Sequence, residues 1–145
     1  MTGLPLVQEP YFYAKIGQES QIMPELQPIF DQLKPLISHY CPPLQPKNDT
    51  DRYYDAWSIK DLVIDDRKRK EVFFAGLIIQ KSYVGFYFMP VYTDPESTRF
   101  FEPELLRLLK GKSCFHIKKL TPELLSQVAE ALDRGFKLYQ ERGWI

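Results

Sequence analysis

Leu26, Ile29, Phe30, Leu33, Leu36 and Ile37 recur at three- and four-residue spacing, the stripe of an amphipathic helix. Pro24 or Pro28 suits a first turn, where a missing N–H costs little. Pro35 should kink or end the regular helix, so the spacing predicts a helix over about 24–39. A strand-forming region follows. Residues 54–64 carry Trp57, Ile59, Leu62 and Val63, the polar run 65–70 reads as a turn, and residues 71–80 are apolar at nearly every position. That run suits a strand covered on both faces, and Val72, Phe73, Phe74, Ile78 and Ile79 favour strand over helix. Lys81-Ser82 predicts a tight turn into a third strand over 83–92, ended near Pro90. Short turns between three such runs predict an antiparallel meander.

Pro103 at a first turn, then Leu105, Leu106, Leu108 and Leu109, with Gly111 as C-cap, predict a short helix. Residues 113–118 predict a fourth strand, with Phe115 and Ile117 on one face and Cys114, His116 and Lys118 on the other. Thr121-Pro122 is a cap followed by a first-turn proline. The last helix carries Leu124, Leu125, Val128, Leu132, Phe136 and Tyr139. Strands and helices do not alternate, so the expected class is α+β. The expected architecture is an antiparallel sheet of about four strands, packed with an N-terminal and a C-terminal helix.

Eight of the twelve prolines fall within the first 46 residues. Residues 1–20 therefore read as an extended arm, with an apolar cluster of Tyr11, Phe12, Tyr13 and Ile16 that packs on something. Residues 21–145 read as one domain, because the proline-rich loop over 41–52 is too short to divide it. No repeat or low-complexity segment interrupts it.

Composition narrows the function. The 145 residues are 44% hydrophobic and 26% charged, which favours a globular chain over disorder. No apolar run reaches the roughly 18–20 residues of a membrane span, and the first ten residues lack a secretory pattern. Nineteen basic and nineteen acidic residues balance, removing the electrostatic case for nucleic acid. Neither a membrane nor a nucleic acid is an expected partner. The basic run Arg67–Lys70 follows Asp65-Asp66, which partly cancels its field, so it reads as a solvated turn. Cys41 and Cys114 form no Cys-x-x-Cys pair, and two cysteines suggest reduced thiols in a cytosol more than a disulfide framework.

Candidate chemistry is sparse. Gly111-Lys112-Ser113 resembles the end of a phosphate-binding loop, but the required earlier glycine is Leu106, and a strand follows instead of a helix. Cys114 and His116 point the same way on a strand, so a thiolate–imidazole pair or half a metal site is conceivable. No Gly-x-Ser-x-Gly supports a serine triad. Asp49, Asp51 and Asp55 are the best carboxylate cluster for a metal, with Asp65-Asp66 second, but neither has an EF-hand glycine or terminal glutamate.

The stretch 74–92, FAGLIIQKSYVGFYFMPVY, resembles the central hairpin of the YdhG-like domains. LKGKSCFHIK at 109–118 is similar to their following strand, and RGFKLYQERGW at 134–144 to their terminal helix. The resemblance covers roughly residues 22–144 and rests on Met-Pro-Val-Tyr and Gly-Lys-Ser-Cys-Phe taken together. It implies a small bacterial, cytoplasmic α+β protein without an established reaction. Some members of the wider group are described as frataxin-like iron chaperones.

The sheet itself is the stronger clue. Val84, Phe86 and Phe88 share one side of the third strand, and Tyr83, Tyr87 and Met89 the other. In the second strand Phe73, Leu77 and Ile79 alternate with Val72, Phe74 and Ile78. Both faces are apolar, so something beyond the two C-terminal helices must shield the second: the arm, helix 1, a second subunit or a ligand. The expected function is a non-enzymatic binding module without a cofactor. It would use Lys81, Tyr83, Tyr87, Met89, Lys112, Cys114 and His116 toward a small molecule or protein, with a homodimer as one form. The alternative is an iron chaperone using Asp49, Asp51 and Asp55. A third class is an enzyme using Cys114.

Overall fold

The computed structural model describes residues 25–145; the expectations about the N-terminal arm lie outside them. Helix α1 spans Leu26–Ser38 and buries Leu26, Ile29, Phe30, Leu33 and Ile37, the predicted stripe. Pro35 sits inside this helix without ending it. Strands β1 (Tyr53–Ile64), β2 (Arg67–Ile79) and β3 (Val84–Phe88) form the predicted meander. Then come α2 (Met89–Thr93), a 3-10 turn (Pro95–Phe100), α3 (Pro103–Leu106), β4 (Leu109–Lys110), β5 (Cys114–Ile117) and α4 (Pro122–Glu141). The fold is α+β with one open sheet in the order β1-β2-β3-β5-β4, every pairing antiparallel. Among the described residues no helix is long and apolar enough to cross a membrane.

Several expectations need correction. The sheet has five strands, because Leu109–Lys110 pairs with β5 instead of continuing a helix. Gly111 still supplies a positive φ of 72°, but it does so in the β4–β5 turn. The basic run Arg67–Lys70 is strand, not turn: Asp65 and Asp66, at φ 51° and 64°, close the hairpin alone. Two consecutive left-handed residues are what a tight hairpin turn needs, and Asp tolerates them. The third strand stops at Phe88, and Met89 opens a helix.

Both long helices pack on one face of the sheet. The α1 stripe and the α4 residues Leu124, Val128, Ala131, Leu132 and Tyr139 join Phe74, Leu77, Phe86, Phe88, Phe115 and Ile117 in one core. Tyr40, just after α1, stacks near Phe136 of α4 with ring centroids 4.7 Å apart. Gly135 lets α4 approach closely, since a Cβ there would lie 2.5 Å from Phe88 Cζ. The Thr121 hydroxyl accepts the Leu124 N–H at 3.0 Å and caps α4 as predicted. Helix 1 therefore does not shield the second face.

A β-bulge decides which residues reach that second face. Ala56 pairs with Ala75, but Trp57 pairs with Phe73, leaving Phe74 as an extra residue in β2. Strict alternation breaks there. Val72, Phe74, Ala75, Leu77 and Ile79 are all buried, while Phe73 and Ile78 are half-buried. Phe73 meets Trp57 edge-on at 5.2 Å and lies over Gly76, on the side away from the helices. The predicted grouping of Phe73 with Leu77 and Ile79 is thus wrong by one bulge.

Candidate functional site

The second face carries Tyr53, Trp57 and Ile59 from β1, Phe73 and Ile78 from β2, Tyr87 from β3, and Cys114 and His116 from β5. Trp57, Phe73, Ile78, Tyr87, Cys114 and His116 are half-buried, and so is Tyr83, just before β3. Strand register explains the grouping: Gly85 lies opposite His116, and Tyr87 opposite Cys114. The Tyr87 ring folds back over Gly85, where a Cβ would come within 2.8 Å of it. Glycine at 76 and 85 thus gives two aromatic rings a backbone floor to lie on.

At the Lys81 end, Tyr83 and His116 stack with centroids 3.8 Å apart and planes 11° from parallel. Partial burial, and then Lys110 and Lys118, lower the His116 pKa, so its imidazole is neutral at pH 7. Gln80 Nε2 donates to the Tyr87 hydroxyl at 3.0 Å. Burial raises the Tyr87 pKa, with Gln80 opposing and Cys114 and Tyr83 adding to it. The neutral phenol is retained as a donor.

Cys114 contacts Tyr87, while His116 is occupied by Tyr83. The thiolate–imidazole pair that the strand spacing left open is therefore not what these side chains make. Burial raises the Cys114 pKa, and the Tyr87 hydroxyl only partly offsets it. Burial likewise raises that of Cys41. Both thiols are unpaired. In a Cys41→Ser background, iodoacetamide should label Cys114 at pH 7 more slowly than a model thiol, since the thiolate is the nucleophile. Labelling as fast as that of a low-pKa catalytic cysteine would contradict this placement.

Three of the seven predicted binding residues do not join this cluster as expected. Lys81 is exposed in the β2–β3 turn, at the edge of the cluster and not within it. Met89 belongs to α2, so the strand alternation that placed it beside Tyr87 does not apply. Lys112 sits in the β4–β5 turn, at the other end of β5 from Lys81, with its ammonium 5.8 Å from the Tyr92 ring centroid. Lys110 and Lys118 are the cations that influence His116.

The carboxylate cluster does not assemble either. Asp49 pairs with Lys34 at 2.6 Å. Asp51 is exposed, and its carbonyl accepts from Gln27. Asp55 is only 1% exposed, and its oxygens accept from the Lys47 and Asn48 N–H groups and from Asn48 Nδ2. Burial works against its charge, but these hydrogen bonds outweigh it and lower its pKa. The Trp57 indole N–H faces the same carboxylate and helps lower that pKa, yet it lacks good hydrogen-bond geometry to any partner. Among the described residues no three His, Cys, Asp or Glu side chains come together as metal ligands.

Trp57, Phe73, Gln80 and Ile78 were not among the predicted site residues. Gly76 and Gly85, isolated inside adjacent strands, were the available signal, because such glycines often mark a close approach. Comparison with protein-family models, curated proteins and solved structures finds no match for this chain.

Proposed function

We propose that the protein is a YdhG-like binding module whose working surface is the aromatic face of its sheet. The observation that carries this reading is the parallel Tyr83–His116 stack beside a hydrogen-bonded Tyr87, on a face that neither α1 nor α4 covers. Flat rings with polar tips suit a partner that is apolar in area and polar at its edges. Tyr83 and Tyr87 supply stacking area, and the Tyr87 hydroxyl and neutral His116 supply hydrogen bonds. Lys81, Lys110 and Lys118 favour an anionic group at that rim. The raised Cys114 pKa favours binding over nucleophilic turnover. Cytoplasmic location belongs to the same proposal.

Native mass spectrometry of the freshly purified full chain tests it. The expected spectrum shows either a dimer or a monomer with a retained small molecule, and Tyr83→Ala with His116→Ala converts it to a bare monomer. A bare wild-type monomer would count against the proposal. So would a complex untouched by the double substitution.

A further inference from the structure

A second cleft lies at the far end of the sheet, away from Tyr83. Its accessible volume is about 890 Å³, within the range of small-molecule sites. The β1–β2 hairpin tip, the α2 connection, the β4–β5 turn and the C-terminal residues all meet there. No single segment shows it in the sequence.

Its chemistry is specific. Tyr92 leaves 52% of its surface exposed, with Lys112 Nζ poised 5.8 Å from its ring. Lys112 makes no ion pair among the described residues. On the other side, Arg142 is held by three contacts. Its guanidinium donates to Thr93 Oγ1 at 3.2 Å, lies 3.9 Å from the Asp94 carboxylate, and sits 4.9 Å from the Trp144 ring. Asp65 lines the cleft and Asp94 pairs with Arg142, so Lys112 is the lining cation without an ion-pair partner among the described residues. The guanidinium is fixed in direction by Thr93, Asp94 and Trp144 before any ligand arrives, which reduces the entropy cost of binding. A guanidinium fork and an ammonium together recognise phosphate oxygens. The exposed Tyr92 ring offers a stacking platform for a flat group.

We propose that this cleft binds a small phosphorylated ligand bearing a planar ring, of the nucleoside monophosphate class. Arg142 and Lys112 take the phosphate and Tyr92 takes the ring. This site is separate from the aromatic sheet face and stands or falls independently of it.

Isothermal titration calorimetry of the full chain with adenosine 5′-monophosphate is the test. Trp144 fluorescence in a Trp57→Phe background reports the same cleft. Saturable binding is expected, at least about tenfold tighter than for adenosine or for ribose 5-phosphate, since each lacks one half of the recognition. Lys112→Glu, at an exposed turn, should weaken it by about tenfold or more. Tyr92→Ala should bring the affinity down to that of ribose 5-phosphate. No saturable binding up to about 10 mM, or binding unchanged in Lys112→Glu, overturns the proposal. Equal affinity for ribose 5-phosphate overturns the role of the ring, and equal affinity for adenosine that of the phosphate.

Discussion

Phe74→Ala is expected to lower the unfolding free energy by about 3–5 kcal/mol, the range for truncating a buried aromatic side chain. Phe74 is fully buried. Its ring lies 5.3 Å from Tyr139, 5.7 Å from Phe88 and 6.2 Å from both Tyr40 and Phe136. It is the point where the sheet, α4 and the segment after α1 meet. A cavity there cannot be filled by one neighbour, because those rings are anchored in different elements. Tyr139, for example, is tied to the β2 backbone by its hydroxyl, which donates to the Phe73 carbonyl at 2.7 Å. Phe74→Leu keeps most of the volume and should cost about half as much or less. Urea unfolding of the two variants against wild type measures both. An alanine variant within about 1 kcal/mol of wild type would mean that the bulge lets the strand repack.

The same bulge marks the limit of what periodicity can show. Both helices were legible because three- and four-residue spacing leaves one apolar stripe, and Leu26 to Ile37 and Leu124 to Tyr139 both bury theirs. The meander was legible because polar or turn-forming residues separate three β-rich runs. The face of each β2 residue was not. The run from Val72 to Ile79 is apolar on both sides, so an extra residue at Phe74 leaves no mark in the pattern. Leu109–Lys110 is too short to show alternation, and its leucine continues the helical spacing of Leu105 and Leu108. At the candidate site, alternation without a bulge along β3 and β5 puts Tyr87, Cys114 and His116 on one face, and Tyr83, just before β3, stacks on His116 there. Lys81 and Lys112 lie at opposite ends of β5, and a lysine's charge carries no information about which end of a strand it occupies. The cleft at the far end of the sheet was hidden for a related reason: Asp65, Tyr92, Lys112 and Trp144 come from segments far apart in the chain.

Asp55→Ala should destabilise the fold by about 2–4 kcal/mol, because it strands several donors at once. The carboxylate receives the Lys47 N–H at 2.7 Å, the Asn48 N–H at 2.8 Å and Asn48 Nδ2 at 2.7 Å. These bonds hold residues 45–49 along the outer edge of β1. There Gln45 exchanges backbone hydrogen bonds with Trp57, and the Asn48 carbonyl accepts the Asp55 N–H. Without the carboxylate, that edge loses its cover and two strand N–H groups face water. Asp55→Asn retains one acceptor oxygen for the two backbone donors but sets an amide against Asn48 Nδ2, so a smaller loss is expected. The pH dependence separates this account from simple loss of packing. The folded pKa lies below the unfolded value of about 3.9. The carboxylate's contribution is therefore complete above that value and is lost as pH falls through the folded pKa. The wild type should lose stability in acid more steeply than Asp55→Ala, and the gap between them should narrow from pH 7 to about pH 2. Chemical unfolding of both proteins across that range measures it, and a gap that stays constant would place the effect in packing and not in the charged hydrogen-bond cluster.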